Sequence, residues 1–175
     1  MKYLYSLIFI ATISCGVSEN RHRSGPSIEV NFSPNGDAEK SIIREIDNAR
    51  LNIRIQAYSF TSKPIGEALL AANHRGVVVE ALLDGENLGN PHSLLVPLAR
   101  AGVKCYLDRS HAIAHNKIMV IDDDTVITGS FNFTKAAQEK NSENSLIIKD
   151  QIIRDKYLYN WKLHRAHSIA YIPTE

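Results

Sequence analysis

The chain has 175 residues, of which 44% are hydrophobic and 22% charged, ordinary globular usage that excludes wholesale disorder and a collagen-like repeat. Its 20 Lys+Arg nearly cancel 19 Asp+Glu, for a formal net charge of +1, so a polyanionic partner has to be held by a local basic groove and not by the overall field. Two cysteines, Cys15 and Cys105, are too few for a disulfide framework and show no zinc-finger spacing.

Residues 1–16 (MKYLYSLIFIATISCG) carry one lysine and an apolar run over residues 3–13. That run is too short to span a bilayer and suits a secretory signal peptide. Ser14 and Gly16 fit cleavage after Gly16, so the mature protein is expected to be periplasmic or secreted, without stable membrane association. Lipid anchoring through Cys15 is the lesser alternative, because Thr12, Ile13 and Ser14 match the usual small-residue box poorly. Cleavage removes Lys2, brings the formal charge to zero and leaves Cys105 as a lone thiol, most simply a buried one. Residues 17–27 are expected to be flexible, and residues 28–175 to form a single domain.

Along that domain, residues 28–32 alternate like a strand, and residues 37–49 place Ala38, Ile42, Ile43, Ile46 and Ala49 on one helical stripe. Residues 51–59 alternate again. Ser62 is expected to cap a helix that has Pro64 in its first turn and ends near His74, before Gly76. Residues 77–83 form a continuous apolar run, typical of a strand buried on both faces. A helix over residues 93–101, a strand over 103–107 and two strands over 117–121 and 125–128 follow. A short helix from Thr134, a strand over 145–148 and a terminal helix over 151–167 complete the pattern. Strands alternating with helices predict an α/β sandwich with a mixed sheet.

The chemistry concentrates in two short stretches, His115-Asn116-Lys117-Ile118-Met119-Val120-Ile121-Asp122 and Gly129-Ser130-Phe131-Asn132. His115 and Lys117 share a strand face, as do Ser130 and Asn132. If Asp123 and Asp124 form a two-residue turn, His115 falls opposite Asn132 and Lys117 opposite Ser130. Asp-Asp is not the preferred pair for such a turn, and a longer loop shifts that register. The patch suits phosphoryl transfer: Lys117 neutralises a non-bridging oxygen, Ser130 and Asn132 donate to it, and Gly129 allows close backbone approach. A neutral imidazole at His115 is a competent nucleophile. One chain lacks a second histidine in a comparable setting to protonate the leaving oxygen.

The pattern His-x-Lys-x4-Asp-x6-Gly-Ser-x-Asn is met by His115, Lys117, Asp122, Gly129, Ser130 and Asn132, with a chance probability of about 10⁻⁸ per starting position. It resembles the signature of the phospholipase D superfamily. Residues 55–62, Arg75-Gly76-Val77, residues 129–137 and residues 141–144 look like its branch of small, exported, single-motif bacterial endonucleases. The likeness covers residues 28–167. It implies a phospholipase D-like fold and a metal-independent phosphodiesterase that needs no cofactor. It further implies a homodimer in which two copies of the motif meet, with DNA, and RNA by the same chemistry, as substrate. One His115 would attack phosphorus while the other protonates the leaving oxygen. Glu143 matches the acid that fixes the imidazole tautomer, and Asp122 a structural position.

Other polar groups carry blander expectations. Asp122, Asp123 and Asp124 diverge along a strand end and read as a solvated turn, not a Mg²⁺ site. His111 and His115 lack an evident third metal ligand, and no metal is expected. His164 and His167 share a helical face near a C-terminus, where the helix dipole favours them. Phe131 and Phe133 alternate away from the motif into the core. Arg54, Lys63, Lys135 and Lys140 read singly as solvated charges, with a nucleic-acid groove as the alternative, and Tyr157, Leu158, Trp161 and Leu163 as residues that pack the last helix down, with a dimer interface as the alternative for some of them. Two rival functions stand beside the nuclease: a lipid phosphodiesterase using the same site, and a non-catalytic nucleic-acid-binding protein.

Overall fold

The computed structural model describes residues 25–173, so the segment read as a signal peptide lies outside the described residues. The elements run β1 (Ser27–Ser33), α1 (Ala38–Asn48), β2 (Asn52–Ala57), α2 (Lys63–His74), β3 (Val78–Asp84), a 3₁₀ turn (Gly85–Leu88), α3 (Leu95–Arg100) and β4 (Lys104–Asp108). They continue with β5 (Lys117–Ile121), β6 (Thr125–Gly129), α4 (Lys135–Glu139), β7 (Glu143–Lys149), α5 (Gln151–His167) and β8 (Ile169–Tyr171). The expected cap forms at Ser62, whose hydroxyl accepts from the Ile65 N–H, and Thr134, read as the start of the short helix, caps α4 by accepting from the Ala137 N–H, satisfying donors that a helix start leaves open.

All strands join one eight-stranded sheet in the order β1-β7-β6-β5-β2-β3-β4-β8. β2, β3 and β4 are parallel, and the remaining neighbours antiparallel, the mixed sheet that the pattern predicted. Alternation along β2 decides the layers. Ile53 and Ile55, with Val79, Ala81, Met119 and Ile121, join Ala38, Ile42 and Ile46 of α1 and Ile65 and Leu69 of α2 in the main core. Phe131 and Phe133 belong to that core, each 1% exposed, and so does buried Cys105. On the opposite face Leu82, Tyr106 and Trp161 form a small second cluster.

Helix α5 lies over that second face and is held thinly. Trp161 is its one fully buried residue, and the indole N–H donates to the Ile55 carbonyl at 3.0 Å. Leu163, expected to pack the helix down, is half exposed, and Ile152 and Tyr159 are more exposed still. Strand β8 was not legible in the sequence, because three residues of which two are exposed carry no measurable period.

The β5–β6 hairpin departs from the expected register. Ile121 pairs with Thr125 and Val120 with Val126, so the loop holds three residues, Asp122, Asp123 and Asp124, not two. Asp122 takes the left-handed conformation that this turn requires, with φ of 49°. The extra loop residue shifts every cross-strand partner by one. His115 is therefore not set opposite Asn132, nor Lys117 opposite Ser130; continuing the observed ladder brings Lys117 level with Gly129.

Candidate active site

Lys117 opens β5 beside Ala57 at the end of β2, so the motif sits at the carboxyl ends of the parallel strands, where open α/β sheets place their ligand crevices. His115 precedes the strand and is exposed, its ring 4.9 Å from that of Tyr58. Between them Asn116 anchors the chain: its carbonyl accepts from the Tyr58 N–H, and its side chain accepts from Gln56. Lys117 is 7% exposed; its ammonium donates to the His115 carbonyl at 2.7 Å and lies 5.4 Å from the Tyr58 ring centre. Burial pushes the ammonium below its ordinary range, and the nearby Glu143 carboxylate pulls it partly back.

The second half of the motif is built on a close approach of backbones. Gly129 has φ of 148°, and a Cβ there would lie 2.3 Å from the Asn144 carbonyl oxygen, so no other residue fits. That approach lets the Ser130 and Phe131 N–H groups both donate to the Asn144 carbonyl. The Ser130 hydroxyl accepts from the Asn144 N–H and donates to Glu143 at 2.6 Å. Asn132 is carried between Phe131 and Phe133, and its side-chain carbonyl is buried with no hydrogen-bond partner among the described residues.

Two expected roles differ in this geometry. Ser130 has one hydroxyl proton and commits it to Glu143, so it braces the ends of β6 and β7 and does not donate outward to a phosphate. Glu143 was expected on the His115 imidazole. Its oxygens instead accept from Ser130 and Asn141, and among the described residues no hydrogen bond joins it to His115. Asp122 spends both carboxylate oxygens on the backbone N–H groups of Arg50, Leu51 and Asn52, at 2.8–2.9 Å. It ties the hairpin turn to the start of β2.

A cleft of about 460 Å³ opens beside the motif. His115, Lys117 and Gly129 line it, together with Lys156, Tyr157 and Asn160 of α5. Sequence reasoning did not name Lys156 or Asn160 and assigned Tyr157 to packing. Their place became visible only once Trp161 was fixed as the anchor of the helix, which turns the preceding residues toward the cleft.

Residues 42–162 match the family described as "Cardiolipin synthase, PLD-like domain". The chain is also 43% identical over 137 residues to a phospholipase D of Rickettsia bellii, spanning 78% of this chain and 68% of that protein. It belongs to the phospholipase D family. Another relative in this family, a mitochondrial cardiolipin hydrolase of Xenopus laevis, is 33% identical over 116 residues, covering 66% of this chain and 55% of that one. Among solved structures, Nuc from Salmonella typhimurium, a phospholipase D family member, matches with a TM-score of 0.81 and 37% identity, over 85% of this chain and 99% of that one. NucT from Helicobacter pylori matches with 0.78 and 25%, over 83% and 99%. As a phospholipase D family phosphodiesterase, the protein is a hydrolase.

Proposed function

We propose that this phospholipase D family enzyme is a metal-independent endonuclease that hydrolyses DNA, and RNA by the same chemistry, with little sequence preference. The observation that carries the reading is the character of the cleft. Of its nine lining residues only Ile118 is aliphatic, while Lys117 and Lys156 are cations. Two cations in one cleft suit the anionic backbone of a nucleic acid. End-to-end correspondence with Nuc and NucT, each matched over 99% of its length, supports the same choice.

In this scheme a ring nitrogen of His115 attacks phosphorus in line, and the bond to the leaving oxygen breaks as the P–N bond forms. His115 of the partner subunit gives its proton to that oxygen. Water then attacks the phosphohistidine and loses its proton to the same second imidazole, and the P–N bond breaks. Lys117 and the Asn132 amide hold the non-bridging oxygens, on which negative charge grows.

The test is plasmid cleavage by the mature protein in excess EDTA, beside its His115→Ala variant. Cleavage by the wild type is expected, with a loss of at least about 10⁴-fold in the variant, the upper end of what general acid–base catalysis alone supplies. The runner-up is a lipid phosphodiesterase, favoured by the 43% identity to a Rickettsia phospholipase D. Turnover of cardiolipin or phosphatidylcholine vesicles with plasmid left intact would put it first. Tight DNA binding without turnover of either substrate would leave a binding protein.

A further inference from the structure

Away from the cleft, four metal-binding side chains converge at the end of β4. Asp108 is the last residue of that strand, and its carboxylate is fully buried. Around one of its oxygens, Oδ2, stand His111 Nδ1 at 2.9 Å, His164 Nδ1 at 3.2 Å and His167 Nε2 at 3.3 Å. His111 comes from the loop that leads to His115, and the other two lie one turn apart in the last turns of α5. The three rings pack against one another with centres 4.8–5.4 Å apart. The helix dipole expected to explain His164 and His167 does not explain this: both turn inward to one carboxylate, and His111 joins them from another element.

Three imidazoles and one carboxylate from separate stretches of the chain meet here; His111 Nδ1 also stands 3.1 Å from the other carboxylate oxygen, Oδ1, to which the Ser110 N–H donates. The same groups make a donor set for a divalent cation, because each neutral imidazole can offer a nitrogen lone pair and the carboxylate an oxygen.

We propose that Asp108, His111, His164 and His167 bind a divalent first-row transition metal, zinc in the first instance, as a structural clamp. Three imidazoles and one carboxylate form a closed four-ligand set, which fits a structural ion better than a catalytic one. Their ligand atoms already lie within 4.8 Å of one another. A tetrahedral ion with ligands at about 2.0–2.1 Å needs them about 3.3 Å apart, which small rotations of the partly exposed imidazoles supply. Three strand spacings of about 4.8 Å separate β4 from β5, so the ion takes no part in the chemistry at His115. What it holds is the cleft's surroundings: α5, which buries little beyond Trp161 and supplies Lys156, Tyr157 and Asn160, and the loop that carries His115. Asp84 already fastens that loop through the Ala114 N–H at 2.7 Å.

The test uses the mature protein stripped with EDTA, desalted, and titrated with Zn²⁺ or Co²⁺ alone. One equivalent per chain is expected by calorimetry, with the intense visible bands of four-coordinate cobalt and a melting temperature that climbs with free zinc. Loss of an outer-sphere partner costs about 10–100-fold in metal affinity. The doubly substituted His164→Ala/His167→Ala protein loses two ligands, so it should bind at least about 100-fold more weakly and melt independently of zinc. Its circular dichroism should match that of the stripped wild type. Folded wild-type protein that takes up no ion would overturn the proposal, as would equal uptake by the variant. Uptake abolished by His115→Ala but not by the helix substitutions would place the ion in the cleft and overturn it too. None of these readouts depends on whether the enzyme cleaves DNA, so failure of the clamp is distinguishable from failure of the nuclease.

Discussion

At the scale of single residues, Lys117 shows what the site costs the fold. It is 7% exposed, and burial lowers its affinity for a proton below the ordinary value of 10.5. The unfolded chain holds that proton more tightly, so charged Lys117 detracts from stability at neutral pH. The handicap is full below the lowered value and disappears as pH rises toward 10.5. Replacing Lys117 by Met is expected to raise stability by roughly 1 kcal/mol while cutting turnover at least about 10²-fold, as loss of a phosphate-stabilising charge does. The gain, measured by urea titration across pH, should shrink as the medium becomes alkaline. A less stable variant at neutral pH would mean that the bond to the His115 carbonyl and the attraction of Glu143 outweigh desolvation. Gly129 is constrained in the opposite sense: it is required by the approach of Asn144, not by the chemistry.

Among elements, the decisive joint is the one between the β5–β6 hairpin and β2. Asp122 closes it with three backbone hydrogen bonds from residues 50–52, two of them exposed to solvent. Water can replace part of what such bonds contribute, so Asp122→Ala is expected to lose about 2–3 kcal/mol of stability by urea titration, yet to keep turnover within several-fold per folded molecule. A full loss of activity in a variant as stable as the wild type would move Asp122 into the reaction. The same joint shows where legibility ended. The strands on either side were readable to within a residue or two, because Ile53, Ile55, Met119, Ile121 and Ile127 alternate. The loop between them was one residue longer than a two-residue turn, and a shift of one in register exchanges every opposed pair. Helix α5 was legible end to end as a helix. Which of its faces met the sheet was not, since that rests on contacts remote in sequence, Trp161 to Ile55, Arg154 to Asp123 and His164 to Asp108.

For the whole molecule, one motif per chain makes assembly part of the proposed mechanism. If each active site needs two copies of His115, equal mixing of wild-type and His115→Ala chains, followed by subunit exchange, leaves about one quarter of the dimers with both histidines. Activity at about one quarter of the all-wild-type value is expected. A value near one half would show that each chain works alone, as would an active monomer by light scattering at assay concentration. Such a two-fold site would also set two Lys117 and two Lys156 side chains around one polyanion. A chain whose full sequence has a formal charge of only +1 could then hold a nucleic acid without a strong overall field.

The α/β class, the mixed sheet, most element positions, the buried place of Cys105 and the two stretches that carry the chemistry are all readable from the order of residues. These follow from local periodicity, from caps, and from residue types whose reactivity does not depend on context. The tertiary structure decided what depends on distance through space. It set the hairpin register through a three-residue loop, turned Ser130 and Glu143 toward each other through the Gly129–Asn144 approach, and brought Lys156 and Asn160 to the cleft through the anchoring of Trp161. It also joined His111 to His164 and His167 around Asp108. His111 lies more than fifty residues before the other two and forms no contiguous motif with them, so only the packing of α5 across the end of β4 makes them neighbours.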